Sequence, residues 1–578
     1  MEAEGIAAVF AEMADIMEIV GADRFRINSF RRVARVLAET TEDVAALARA
    51  GRLQELPGVG KGTAARIDEI IRTGKLAQHE QLRGQVPEGL LGMLQIQGLG
   101  PKTVGKLWKQ GGVRSVDELR AALASDPQRL DAIEGLGPKK LAQLTEAIAF
   151  AESASARFRL DEAEAVADAL RQTVAGCKGA GRTAPAGSLR RWRETVGDVD
   201  LLCEADEEHA EAIVAAFTSA ESVTKVLAKG KTKGSAVVDG RIQADLRVVP
   251  AGSFGAALQY FTGSKAHNVA LREIAVRRKL KLNEYGLFDE AGQQVAGRDE
   301  RGIYEALGLE WIAPELREDR VEVAAAGEGG LPKLIELADI RGDLHMHTTA
   351  SDGHNSIEEM IQACRKRGYE YMAITDHSKS QIQANGLDER RLAEHVAAIR
   401  AADRKHKDIT VLAGIEVDVL KTGRLDFADD VLAELDFVTA SPHSALAMKG
   451  ADATARLIRA IENPHVHVIG HPTGRLLNRR AGMEIDIVKL AQAAAANDTA
   501  LEINAHPWRL DLRDTHVRAA IEAGAKLLIC TDAHDAAPDG NLSLMRFGVA
   551  TARRGWATAA DVINTCPAAK LKKWLKRK

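Results

Sequence analysis

The chain is poor in aromatic residues and cysteine, and it lacks a long apolar run. Aromatics make up 4% of its 578 residues. Its five cysteines (Cys177, Cys203, Cys364, Cys530, Cys566) are odd in number and show no Cys-x-x-Cys spacing. That pattern points to reduced thiols in the cytosol rather than to a disulfide framework. No stretch of about eighteen apolar residues is present to span a bilayer. The opening MEAEGIAAVFAEM carries acids and no basic segment ahead of an apolar one, so no signal peptide is expected. A net charge of −4 excludes a uniformly positive coat, while nucleic-acid binding needs only local basic surface. The basic tail KLKKWLKRK (570–578) reads as a solvated helix end. Length suggests about three to five domains.

What is present is unevenly distributed. Residues 187–202 read GSLRRWRETVGDVDLL. A Gly-Ser turn, Gly187-Ser188, opens a basic helix, and a short strand then carries Asp198 and Asp200. Residues two apart on a strand share a face. Two carboxylates side by side repel each other unless a cation lies between them, and a divalent ion with oxygen ligands fits. Backbone N–H groups and a hydroxyl at a helix N-terminus suit a phosphate. The alternating strand RIQADLRVV (241–249) offers a third acid, Asp245. Three acids on adjacent strands suit two Mg²⁺ ions and nucleotidyl transfer. Downstream, LQYFTGSKAHNVALR (258–272) places the aromatic faces of Tyr260 and Phe261 and a turn where a sugar and base could lie.

Residues 1–150 look helical and repeat one pattern three times: LPGVGKGTAARI (56–67), IQGLGPKTVGKL (96–107) and IEGLGPKKLAQL (133–144). Each copy puts Gly-apolar-Gly ahead of a helix with small and basic residues. Such helix–hairpin–helix elements grip a nucleic-acid backbone without reading bases. The residues expected at DNA are Gly58, Gly60, Lys61, Arg66 and Lys75 in the first copy, Gly98, Gly100 and Lys102 in the second, and Gly135, Gly137 and Lys139 in the third.

Residues 155–318 change to an α+β pattern, with an amphipathic helix at 161–176. Strands are expected near 196–203, 222–228, 235–238, 241–249 and 280–283, in an antiparallel sheet with helices packed on it. The stretch 319–338, with AAAGEGGLP, reads as a linker. Residues 339–578 alternate strands and helices seven times, with strands near 342–346, 371–375, 410–416, 436–440, 466–470, 500–504 and 526–531. That pattern predicts a (β/α)7 barrel with its site at the strand C-terminal ends. Thirteen of sixteen histidines lie at or beyond residue 345, and ligand-type residues cluster after the apolar runs. They are His345, His347, Asp352, His377, Glu416, His443, His471, Asp532 and His534. Mixed His and carboxylate ligands suit Mn²⁺, Zn²⁺ or Fe²⁺, and nine ligands could hold up to three ions of a phosphoesterase centre.

GSLRRWRETVGDVDLL, the Asp245 strand and YFTGSKAHN together resemble family X DNA polymerases across residues 1–318. The resemblance implies that Gly187, Ser188 and Arg191 bind the triphosphate, with Gly197 and Gly263 beside the nucleotide, and that Asp198, Asp200 and Asp245 hold Mg²⁺. It implies that Tyr260 and Phe261 pack on the deoxyribose and that Asn268 meets the base edge. Some members carry a 5′-deoxyribose-phosphate lyase whose lysine aligns here with Arg66, and Phe30 stands where a Tyr is frequent. An arginine is never a free amine, so the lyase is expected to be weak or absent. Arg26, Lys61, Arg66 and Lys75 are left as 5′-phosphate ligands. Residues 339–578 resemble the polymerase and histidinol phosphatase (PHP) domain, whose nine ligands match the nine residues named above. That resemblance implies a metal-dependent 3′→5′ exonuclease, apurinic endonuclease or phosphatase. Arg475 and Arg509 are candidates for its substrate phosphates, and His354, His465, His467, His506 and His516 are expected to be structural.

The expected organisation is a 5′-phosphate-binding helical domain (1–85), helix–hairpin–helix fingers (86–150) and a nucleotidyltransferase palm (151–255). A thumb (256–318), a linker (319–338) and the PHP barrel (339–578) follow. The expected function is gap filling in base-excision repair by a cytoplasmic monomer acting on dNTPs and on gapped or nicked DNA with a 5′-phosphate, and no membrane is involved. One alternative is a PHP phosphoesterase whose N-terminal half is only a DNA-binding scaffold. Another is a non-catalytic DNA-end binder.

Overall fold

A computed structural model describes residues 3–40, 44–56, 58–94, 96, 99–138, 140–142, 144–145, 148, 157–448 and 450–576. Gly98 and Lys139, both expected at DNA, lie outside the described residues, as do Arg577 and Lys578 of the basic tail. The chain divides into two compact units, Met1–Ala156 with Asp239–Arg241, and Arg157–Val238 with Ile242–Lys578.

The first unit is helical, and its three Gly-containing repeats fold alike. Leu56, Ile96 and Ile133 are buried, and each carbonyl accepts from the residue three on: Val59 at 3.0 Å, Leu99 at 3.0 Å and Leu136 at 2.9 Å. Those three partners are buried as well. The next glycine then opens a helix, with Gly60, Gly100 and Gly137 carbonyls accepting from Ala64, Val104 and Leu141. Burying the two apolar residues turns each hairpin outward, with Gly60, Gly100 and Gly137 exposed at the helix start.

In the second unit, a five-stranded sheet runs in the order Thr183–Pro185, Val199–Glu204, Ile242–Val249, Lys233–Val238, Val223–Lys229. Three of its four pairs are antiparallel, as expected. The central pair, Val199–Glu204 with Ile242–Val249, is parallel, because a helix and a hairpin cross over between them. Ile242–Val249 alternates buried and half-buried residues along its length. This turns Ala244, Leu246 and Val248 to the core and Asp245 and Arg247 to the other face. Helices Leu160–Ala175 and Glu207–Thr218 supply the apolar layer beneath the sheet.

Helices Phe254–Thr262 and Lys265–Arg277 follow, with a small antiparallel sheet of Lys281–Asn283, Gly286–Phe288 and Gln294–Ala296. The stretch expected as a linker is ordered. Residues Glu322–Glu328 form a helix, and the fully buried Glu322 meets His267 Nδ1 at 2.7 Å and accepts from Asp319 and Arg320 N–H groups. Its Ala- and Gly-rich composition reads as loose, but its buried acid is matched by a histidine 55 residues earlier.

Seven parallel strands run in sequence order from Gly342–Asp343 to Lys526–Cys530. A bridge between Met346 and Ala533 joins the first and last at their C-terminal ends, so the barrel draws closed where the histidines lie. Leu477, Leu510 and Phe547 of the barrel share one apolar core with the helices and sheet of residues 158–248. Among the described residues, no helix is long and apolar enough to cross a membrane.

Candidate active sites

The first site grows from strand register. Asp200 and Asp245 are direct partners on the two parallel strands, and Asp198 precedes Asp200 by one pleat. Burial pushes the Asp200 carboxyl up to about 7, and Asp198 and then Asp245 push the same way, while Arg247 and Arg191 oppose. Acids packed so that their neighbours raise the proton affinity of Asp198 and Asp200 make a site for a cation. Helix Gly187–Arg190 starts against this trio, the Ala186 N–H donating to the Asp200 carbonyl at 2.8 Å. It is one turn long, shorter than the expected basic helix, and Gly187 has φ +61°. Ser188 is half-buried in that turn, and Gly197 is exposed just ahead of Asp198.

Arg191 follows the turn. Its Nε donates to Glu318 at 3.1 Å and its Nη1 to the Thr262 carbonyl, which leaves Nη2 as the donor for a ligand oxygen. Tyr260 and Phe261 meet edge to face at 5.1 Å, and the Arg247 guanidinium lies 4.3 Å from the Phe261 ring centre. Gly263 is buried beside Arg191 Nη1. Asn268 is 7% exposed and lies beside the Tyr260 turn: its amide donates one N–H to the Tyr260 carbonyl at 2.7 Å, and its oxygen accepts from Gln259 at 2.7 Å, which leaves its second N–H as a donor.

In the helical unit, Arg26, Lys61, Lys75 and Lys102 are exposed, as are Gly58, Gly60, Gly100, Gly135 and Gly137. Arg66 is half-buried, bonded to Gln78 Oε1 at 2.7 Å and stacked 5.5 Å over Phe30. Arg66 and Phe30, the two positions on which a weak or absent lyase was expected, are therefore in contact.

The second site gathers all nine expected ligands at the barrel mouth. Three sets with ligand atoms within 4.8 Å of one another overlap: His347, Asp352, His377 and His534; His345, His347 and Asp532; and His377, Glu416 and His443. His471 Nε2 joins through Glu416 at 2.9 Å. Six buried atoms make no well-formed hydrogen bond: His345 Nε2, His347 Nδ1, His377 Nδ1, Glu416 Oε2, His443 Nε2 and His471 Nδ1. Three of the ring nitrogens crowd Glu416, His377 Nδ1 at 2.9 Å, His443 Nε2 at 3.3 Å and His345 Nε2 at 3.4 Å. Buried polar atoms are rarely left without a well-formed bond, and ligand-type atoms converging on one space fit metal ions. Burial lowers His347 and His471, while the neighbouring acids raise His345, His377, His443 and His534, a crowding of rings and carboxylates that a bound cation would relieve.

The supporting residues were missed in the sequence. Glu502 meets His345 Nδ1 at 2.6 Å and accepts from the His471 N–H at 2.6 Å. Asp418 takes His443 Nδ1 at 2.5 Å. Asp376 gathers Thr348, Ser351 and His395 around the loop after His347. Glu502 and Asp418 stand behind the His345 and His443 rings and fix their tautomers. Arg509 Nε lies 3.5 Å from Asp532, at the site. Arg475 is turned towards the palm: its Nε donates to the Arg509 carbonyl and its Nη2 to Glu194 at 2.7 Å and to the Leu510 carbonyl.

Comparison with known proteins agrees with this geometry. The chain is 39% identical to the DNA polymerase/3'-5' exonuclease PolX of Bacillus subtilis (strain 168) over 100% of both chains. The chain belongs to the bacterial family X DNA polymerases with a PHP domain. It is thus a DNA-directed DNA polymerase, an enzyme acting on DNA and dNTPs and dependent on divalent metal. Residues 257–318 match the DNA polymerase beta thumb, and residues 343–506 the PHP domain. Residues 1–76 match a helix-hairpin-helix domain and residues 90–149 a SAM-like helix-hairpin-helix tandem. Probable phosphatases of Caldicellulosiruptor bescii (35% identical, 28% of this chain, 64% of the relative) and Shewanella halifaxensis (30%, 35% of this chain, 80% of the relative) also match.

Proposed function

We propose that this chain fills short gaps in DNA during base-excision repair and trims 3′ ends with its barrel. The observation that carries this is the register of Asp200 with Asp245 beside the Gly187 turn, in a chain whose barrel holds a second, complete ligand set. On this reading residues 1–85 hold a 5′-phosphate through Arg26, Lys61, Arg66 and Lys75, and residues 86–150 grip duplex DNA. Residues 151–255 form the palm, 256–318 select the nucleotide, and 319–338 brace the thumb. Residues 339–578 form the exonuclease.

Asp198, Asp200 and Asp245 hold Mg²⁺, and the nine barrel residues hold Mn²⁺ or Zn²⁺. Such ions supply charge stabilisation and an activated nucleophile when bound. The chain's own groups do the rest. Gly187 and Ser188 present N–H and hydroxyl donors to the triphosphate, Arg191 Nη2 meets an anionic oxygen, and Tyr260 with Phe261 excludes water from the sugar. In the barrel, Arg509 orients the scissile phosphate. Gapped or nicked DNA with a 5′-phosphate is the substrate, and a cytoplasmic monomer suffices because each centre is complete in one chain.

The test separates the centres. Asp198→Ala with Asp200→Ala is expected to abolish dNTP incorporation and spare 3′→5′ trimming, and His345→Ala with His347→Ala to do the reverse. A wild-type chain inert on a one-nucleotide gap removes the gap-filling half of the proposal. Both activities failing in both double mutants removes the division of labour.

A further inference from the structure

Four consecutive residues after the phosphate turn are held by the barrel or by Glu318. The carbonyl of Arg191 accepts from Arg554 Nη1 at 2.6 Å. Trp192 packs edge-on against Phe547 at 5.9 Å. Arg193 lies 3.6 Å from Glu318, and Glu194 is bonded to Arg475 at 2.7 Å. Arg554, Phe547 and Arg475 all belong to the barrel. At the centre of this contact, one oxygen of Glu318 receives both Arg191 Nε and Arg554 Nη1, each at 3.1 Å. Arg554 is fixed in turn by Asp514 at 2.6 Å, which also takes Arg320 at 3.2 Å. The Arg554 side chain is 4% exposed. A guanidinium shared among three buried acceptors has one orientation open to it.

We infer that the barrel positions the palm's nucleotide-binding arginine: Arg554, anchored on Asp514, holds Glu318, and Glu318 fixes the Arg191 guanidinium. The inference rests on the reading of Arg191 as a triphosphate ligand. Arg554 and Glu318 are positioning residues, since neither reaches the reacting atoms. Burial raises the Glu318 carboxyl, but Arg554 and then Arg191 pull it down to about 2, so it stays charged at neutral pH. The opposite role for Glu318, an anion that the triphosphate must displace from Arg191, predicts the opposite sign.

The experiment uses full-length Glu318→Gln, Arg554→Lys, Arg191→Ala and the Glu318→Gln/Arg191→Ala double mutant. KM for dNTP and kcat are measured separately on a one-nucleotide gap, with 3′→5′ trimming and melting temperature as controls on the fold. Glu318→Gln keeps the side-chain shape, and it is expected to raise KM about tenfold with kcat little changed. Arg554→Lys keeps the charge but not the three-way geometry, and it is expected to move KM the same way. The double mutant is expected to be no worse than Arg191→Ala alone, as coupled residues behave. An unchanged or lowered KM in Glu318→Gln, or effects that simply add in the double mutant, overturns the inference. An Arg191→Ala chain with wild-type KM instead shows that the reading of Arg191 itself has failed.

Discussion

A Cβ on Gly187 would stand 2.4 Å from Oδ2 of Asp200. Gly187 also has φ +61°, a conformation that side chains resist. The atom that must yield is the carboxylate proposed to hold Mg²⁺, so the cost falls on catalysis. Gly187→Ala is expected to lower single-turnover incorporation by about a hundredfold, while trimming by the barrel persists. Incorporation near the wild-type rate would mean that Asp200 can shift without harm.

Glu502 makes a different kind of contact, behind the ligands rather than among them. It bonds His345 Nδ1 and the His471 N–H, both at 2.6 Å, and it is fully buried. Removing its charge loosens the His345 ring and the backbone that carries His471. Glu502→Gln is expected to reduce Mn²⁺ or Zn²⁺ affinity about 10–100-fold. Equilibrium dialysis of the purified chain measures this without any assay of activity. Affinity equal to wild type would make Glu502 a packing residue only.

These two residues differ in how far the sequence reveals them. Gly187 lies in a local string, GSLRRWRETVGDVDLL, whose turn and acids are sequence neighbours. The barrel strands are equally plain, since buried parallel strands read as apolar runs and all but Ala500–Asn504 carry or lead into an expected ligand. Glu502 sits inside one such run, ALEIN, and its partner His345 lies 157 residues earlier. Nothing local marks it. The same holds for Glu322 under His267, which makes a supposed linker a packed helix, and for Arg475, whose partner Glu194 belongs to the palm. The bonds that hold Asn268 to the Tyr260 carbonyl and to Gln259 were equally unmarked in the sequence. Strands of two or three residues, such as Phe158–Arg159 and Thr183–Pro185, carry too little pattern to be read.

Glu300 ties the thumb to the palm and makes stability depend on pH. It receives Arg190 through both oxygens and Arg317 through one, each at 2.7 Å. Burial raises its carboxyl, but Arg317 and then Arg190 bring it from the ordinary 4.5 down to about 2. A carboxyl depressed in the folded state contributes stability that is present above its unfolded value and lost as pH falls through its folded value. Wild type is therefore expected to melt above Glu300→Gln at neutral pH. The gap is expected to narrow below pH 4.5 and to close near pH 2. Melting curves of both proteins across that range decide it, and a gap that stays constant with pH would show that the carboxyl is not charged in the fold.

Arg66 carries the prediction for how the N-terminal helical unit treats a 5′ end. Its guanidinium bonds Gln78 and the Gly62 carbonyl and stacks over Phe30. A group protonated at every accessible pH has no lone pair with which to form a Schiff base. Binding through charge remains open to it, together with the exposed Lys61, Lys75 and Arg26. Borohydride treatment with a 5′-deoxyribose-phosphate end is therefore expected to trap little covalent adduct. Arg66→Ala is expected to weaken binding to 5′-phosphorylated gaps more than to gaps with a 5′-hydroxyl. Gel-shift titrations with the two DNAs measure that difference. An abundant trapped adduct would place the amine elsewhere, with Lys61 the first residue to substitute and retest.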